Sequence, residues 1–284
     1  MEKCHNELKG IVPLAPEDAR YLEIVLDPIR VSARYKPKFG QGSKEAGLTL
    51  VQFQKLYQGD AFYTWFGLDN PLMYAAHKAA GGMTSVYRQI GIGCEKLFRT
   101  ILMDSFDLAA LDVAWSYKVP LASGKTRSLS LDGYVPLNKI ADAAKKRRFK
   151  SWMRQYGERI GIDTKVFEGL TGTVFEVRQG YKSKDSKRQN ADIANAAAAY
   201  TKGYLPCAVI LSAQIDGDIL LRYRMEKWGI ITGIEGANDP LISTYDFMRD
   251  VVGYDLAAFF ERNSQTLHNE IDAVLKALLT AEAN

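Results

Sequence analysis

The stretch "TVFEVRQGYKSKDSKRQNADIANAAAAYTKGYLPCAVILSAQI" (residues 173–215) decides the fold. Val174, Phe175 and Val177 are strand formers. "DIANAAAAYTKG" (192–203) is alanine-rich and helix-favouring, and Gly203 closes it. "LPCAVILSAQI" (205–215) is a second buried strand. Working outward, "LDVAWSYKVPL" (111–121) and "TRSLSLDGYVPL" (126–137) predict strands on either side of an "SGK" turn. "NKIADAAKKRRFKSWMRQYGERIG" (138–161) predicts a strongly basic helix, and "DGDILLRYRMEKWGIITG" (216–233) predicts further strands after a turn. "MTSVYRQIGIGCEKLFRTILMDSF" (83–106) carries apolar residues at helical spacing, and helices before it are expected to stop at Gly81–Gly82. Residues 1–45 read as an irregular arm leading into a few turns, 36–47 as an exposed loop, and 254–281 as an amphipathic helical segment.

The expected fold class is therefore α/β: a mixed central β-sheet flanked by helices, with a helical N-terminal part. The 284 residues suit one domain, with a helical part over about 1–107, a core over about 108–235 and a helical tail over about 236–284. An apolar share of 47% is enough to build a real core. The net charge of +4 permits an anionic partner without requiring one, so clustering of charge is what matters. Cys4, Cys94 and Cys207 are widely spaced and odd in number, which argues against a disulfide framework and for a reducing cytoplasm. "MEKCHNELKG" has no apolar core of a signal peptide, and no apolar run approaches a membrane span, so no membrane partner is expected.

Two apparent motifs fail on chemistry. "SGKT" (123–126) lacks the earlier glycine of a phosphate-binding loop, where Val119 stands. "GIGCEK" (91–96) has Lys96 in place of the third glycine of a dinucleotide fingerprint. His5, His77 and His268 are isolated, without zinc-ligand spacing, and no G-x-S-x-G elbow is present. If the chain is an enzyme, carboxylates with a metal are the better candidates.

Side chains alternate along a strand, so Val174, Glu176, Arg178 and Lys182 share one face. Glu176 and Arg178 then lie about 7 Å apart along the strand. In "SLSLDGYV" (128–135), Asp132 ends a strand beside Gly133, where a bend is easy. Two converging carboxylates repel unless a cation lies between them. Oxygen-only ligation suits Mg²⁺, with Mn²⁺ as a substitute. A Glu and an Arg on one strand face are equally the residues of a surface salt bridge, and Asp-Gly equally marks a plain turn.

The order "LDGY", then "FEVRQG", then a basic run, an alanine-rich helix and an apolar strand resembles the PD-(D/E)xK nuclease superfamily. The resemblance covers roughly residues 125–230 and is to the type II restriction endonucleases; "YRQIGIGCEKLFR" with "FEVRQGYKSKDSKRQNAD" is similar to their ApaLI-like group. It implies a restriction-endonuclease-like core and Mg²⁺-dependent, sequence-specific hydrolysis of double-stranded DNA, leaving 5′-phosphates. By resemblance Asp132 and Glu176 are metal ligands, and Glu95 matches a helical glutamate near the metal. The family lysine falls on Arg178, which stabilises phosphate charge but is a poor proton acceptor. Either metal and phosphate alone activate the water, or Lys182 reaches the site. A bacterial, cytoplasmic homodimer is implied, because a twofold protein matches a palindromic duplex.

Two basic clusters suit a nucleic acid. Lys145, Lys146, Arg147, Arg148, Lys150 and Arg154 lie in one, with Phe149, Trp152 and Tyr156 expected to anchor that helix on the core. Lys184, Lys187, Arg188, Gln189 and Asn190 follow the charged strand and offer contacts to phosphates and base edges. These segments, 145–159 and 182–190, equally suit a non-catalytic DNA- or RNA-binding protein; a nucleotide-processing metalloenzyme is a third reading.

Overall fold

A computed structural model describes residues 16–39, 47–120, 125–180 and 186–279. The chain is a mixed α/β structure in which helices cover both faces of a small mixed sheet. The N-terminal helices are α1 (Asp18–Val31), α2 (Leu50–Gln58), α3 (Ala61–Trp65) and α4 (Pro71–Phe106). Strands β1 (Trp115–Pro120) and β2 (Thr126–Leu131) form an antiparallel pair. Then come β3 (Gly133–Pro136), α5 (Ala143–Arg159), α6 (Thr164–Glu168), β4 (Gly172–Arg178), α7 (Ser186–Thr201), β5 (Tyr204–Ile210), α8 (Gly217–Met225) and β6 (Gly229–Ile231). A short turn α9 (Thr244–Asp246) runs into π-helical Phe247–Val252, and α10 (Leu256–Leu279) closes the described chain.

The main sheet has the order β3-β4-β5-β6. β3 is antiparallel to β4, while β4, β5 and β6 are parallel. Parallel neighbours need crossovers, and α7 and α8 supply them. Both faces of such a sheet are covered, so β4 and β5 are nearly continuously buried. On one face Phe175, Val177 and Val209 pack with Phe98 and Ile101 of α4 and with Phe149, Trp152 and Met153 of α5. On the other, Val174, Ala208 and Ile210 pack with Ala196 and Ala199 of α7 and Ile219 and Tyr223 of α8. The alanines let α7 lie close to the strands.

β6 is an edge strand, and its outward backbone groups are satisfied without another strand. The Tyr156 hydroxyl donates to the Ile230 carbonyl at 2.7 Å and accepts from the Ile230 N–H at 2.6 Å. The Thr232 N–H donates to the Ile242 carbonyl, and the Thr244 N–H donates to the Thr232 carbonyl, both at 2.8 Å.

Three expectations are corrected. Residues 18–31 are helical, not an arm: Tyr21, Val25, Leu26 and Ile29 form a buried stripe, and Asp18 is anchored to Arg262 at 2.8 Å. Gly81 and Gly82 do not stop a helix but lie inside α4. A Cβ on Gly81 would meet the Tyr35 hydroxyl, and one on Gly82 would meet the Leu278 side chain. The missing side chains admit neighbours, and this close packing outweighs glycine's weak helix propensity. Residues 217–225 form α8 rather than a strand: Asp216 caps it by accepting from the Asp218 N–H at 3.0 Å, and Ile219 and Tyr223 bury one face.

The same close approach occurs at Gly93, where a Cβ would lie 2.8 Å from the Val25 carbonyl oxygen of α1. Gly93→Val is expected to prise α1 from α4 and to destabilise the fold by about 2–3 kcal/mol. A thermal melt with an unchanged midpoint would contradict this.

The expected C-terminal helix is α10, and it belongs to the main core. Phe259, Val274 and Leu278 of α10 are buried in the core that includes α1 and α4.

Candidate functional site

The chain bends at Asp132, between β2 and β3. Gly133 pairs with Phe175, which sets Asp132 one step beyond that pair, beside the last residues of β4. The Asp132 N–H donates to the Phe175 carbonyl, and the Asp132 carboxylate accepts from the Val177 N–H, both at 2.8 Å. Here a side chain continues the ladder that the bend interrupts. Gly133 fits tightly at the bend: a Cβ there would lie 3.3 Å from the Phe98 ring.

α4 reaches the bend from the other side. The Arg99 guanidinium donates to the Asp132 carbonyl at 2.8 Å and to the Glu95 carboxylate at 2.7 Å. Glu95 and Asp132, far apart in sequence, thus share one arginine. Burial pushes the Asp132 carboxyl up to about 6, and the Glu95 charge pushes the same way against the Val177 hydrogen bond and the Arg178 and Arg99 charges.

A raised folded-state value means the protonated form is favoured in the fold. Its contribution is therefore greatest near pH 4 and is lost as pH rises towards about 6, by on the order of 2–3 kcal/mol. Asp132→Asn keeps an acceptor for the Val177 N–H and removes the charge. It is expected to be more stable than the parent at about pH 8 by on the order of 2 kcal/mol, with the gap closing below about pH 4. Urea titrations across that range check this, and a variant less stable at every pH would refute it.

Glu176 and Arg178 share the face that α7 and α8 cover. Arg178 contacts the Glu176 carboxylate at 2.5 Å and the Asp192 carboxylate at 3.1 Å. The Tyr223 hydroxyl of α8 donates to Asp192. Side-chain exposure is 13% for Arg178, 10% for Glu176 and 5% for Asp192, so this is a buried charge group. It ties the end of β4 to both crossover helices. Asp192 lies within the stretch 173–215, yet only the fold shows its role. The available signal is that Asp192 and Asn195, one turn apart, interrupt the alanine face of α7. Asn195 is also engaged, accepting from the Tyr117 hydroxyl at 2.5 Å. Arg99 is the other participant that sequence reasoning missed.

The structure separates the basic helix from this group. Phe149, Trp152 and Tyr156 of α5 are buried as anchors on the α4 side of the sheet, opposite the face of Glu176 and Arg178. The α5 cations therefore do not flank the charged strand face. Two of them serve the fold: Lys145 donates to the Ser105 carbonyl at 2.6 Å, and Arg148 donates to the Val251 and Val252 carbonyls at 2.8 and 3.2 Å. Arg154 lies over the Phe167 ring. Arg147 and Lys150 are exposed and Lys146 is half-buried, without ion-pair partners among the described residues. In the second cluster, Lys182 and Lys184 lie outside the described residues. Lys187, Arg188 and Gln189 fall on the first turn of α7, where only the backbone is described. Asn190 is exposed and accepts from Arg222 at 2.5 Å.

The donor chemistry at the bend fits a hard divalent cation. Asp132 and Glu95 are oxygen donors, and the upward push on Asp132, from burial first and the Glu95 charge second, is one that a bound cation would offset. Among the described residues, no three Asp, Glu, His or Cys side chains already stand together as a metal-binding group. Glu176 is bonded to Arg178 and would have to share its carboxylate. The two cysteines among the described residues, Cys94 and Cys207, are buried, and burial pushes the Cys94 thiol up to about 12, away from thiolate reactivity.

No protein family, curated protein or solved structure matches this chain. No helix among the described residues is long and apolar enough to cross a membrane.

Proposed function

We propose that the protein is a metal-dependent endonuclease acting on double-stranded DNA, of the restriction-endonuclease kind. The observation that carries the reading is the bend at Asp132, whose carboxylate bonds the Val177 N–H beside Glu176 while Glu95 of α4 crowds it. The strands around the Asp132 bend, then α5 and α6, the charged strand β4, the crossover helix α7 and the parallel strand β5 come in an order compatible with that reading. Asp132 and Glu176 would hold Mg²⁺, with Glu95 in reach of the same charge. When bound, such an ion polarises phosphate oxygens and activates water. Arg178, fixed by Asp192, is a positioning group for Glu176 and a source of positive charge for the phosphate. It does not serve as a base, since its guanidinium stays protonated. A homodimer in a bacterial cytoplasm belongs to the same proposal.

A second reading, DNA or RNA binding without cleavage, draws support from a specific feature. Arg178 already faces two carboxylates, while Arg147 and Lys150 are exposed on a separate surface. Supercoiled plasmid incubated with the purified protein separates the two. Discrete linear fragments with 5′-phosphate ends, formed in Mg²⁺ and absent in EDTA, support the nuclease. Retarded but uncut plasmid in both Mg²⁺ and Mn²⁺ supports the binding protein.

A further inference from the structure

A hollow of ≈ 570 Å³ lies beyond the edge strand β6, away from Asp132. Its walls come from the end of α5, the segment after β5, α8, β6 and residues 234–242. That volume lies within the usual range of small-ligand sites. The walls are aliphatic: Ile215, Leu220, Ile230, Ile234, Leu241 and Ile242. The one aromatic, Tyr156, has its hydroxyl committed to the Ile230 backbone.

The charged residues that line the hollow are all cations: Arg159, Arg224 and Lys227. Arg159 is matched by Asp239 at 3.1 Å. Arg224 and Lys227 are exposed and have no ion-pair partner among the described residues. The Lys227 ammonium lies 3.0 Å from where a Cβ on Gly161 would be, and both residues line the hollow. Aliphatic walls beneath unmatched positive charge are complementary to one kind of guest.

We propose that this hollow binds a small organic anion with an aliphatic body, its carboxylate or phosphate head held by Arg224 and Lys227. A peptide strand is disfavoured, because the backbone of β6 has its outward groups already bonded. The site is independent of the nuclease reading and shares no residue with the Asp132 bend.

Isothermal titration with hexanoate, octanoate and decanoate, below their micelle concentrations, tests it. Each added pair of methylenes is expected to tighten binding by about tenfold, as apolar burial requires. Decanoate is expected to bind at least about tenfold tighter than uncharged decanol. Decyl phosphate, run in parallel, shows whether a carboxylate or a phosphate head is preferred; tighter binding of either than of decanol supports the site. Arg224→Gln with Lys227→Gln should bring decanoate down to the decanol level. Both positions are exposed, so the fold is spared, and a thermal melt verifies it. Ala213→Trp, at an exposed wall position, should block both ligands. The proposal is overturned if neither decanoate nor decyl phosphate binds tighter than decanol, or if the tighter of the two is undiminished in the double variant.

Discussion

Arg178→Met is expected to destabilise the fold by about 3–5 kcal/mol, the usual consequence of removing one partner from a buried ion group. The substitution preserves much of the side-chain volume, so lost packing contributes little. What remains is Glu176 and Asp192, both almost excluded from water, with their shared cation gone. Urea denaturation at neutral pH measures the effect. Adding Glu176→Gln and Asp192→Asn to the variant should recover more than half of the loss, because neutral amides carry no uncompensated charge. Arg178→Lys should fall between, since one ammonium cannot span two carboxylates as a guanidinium does. A loss below about 1 kcal/mol would show that the group is solvated and worth no more than a surface pair.

Glu176→Ala is expected to lower Mg²⁺-dependent plasmid cleavage by about a thousandfold or more, the scale on which transition-state electrostatics are lost. It should leave DNA binding nearly intact, because the exposed α5 cations are distant from it. The fold has less to lose here than at position 178, since Arg178 keeps Asp192 as a partner. A melting curve within a few degrees of the parent, together with lost cleavage, assigns Glu176 to the chemistry. Cleavage that survives in Glu176→Ala would remove the residue from the metal site and leave it a structural role with Arg178.

Much of this arrangement was legible in the sequence. Period-two alternation placed Glu176 and Arg178 on one face of β4, and the Asp-Gly pair marked the bend. Aromatic spacing in α5 predicted its buried face, and the alanine run predicted a helix. The misses have physical causes. Pro28 inside α1 and the glycines of α4 look like breakers, yet Pro28 is buried and Gly81, Gly82 and Gly93 lie where a neighbour packs against them. The α8 segment mixes charge and apolar residues so that alternation competes with the four-residue spacing of Ile219 and Tyr223. Asp192 could not be assigned because its partners lie on β4 and α8, and only the crossovers bring them together. The charge of α5 was legible, but the face of the sheet it would occupy was not.

The phenol of Tyr156 does for β6 what a neighbouring strand does elsewhere in the sheet. One hydroxyl serves as both donor and acceptor for Ile230, and residues 242–244 do the same for Thr232. The parallel end of the sheet therefore presents no template on which another extended chain could register. Crowded molecules of this protein cannot lengthen the sheet from that side into a filament. The open hollow beside it can admit a compact guest without exposing a surface on which chains polymerise.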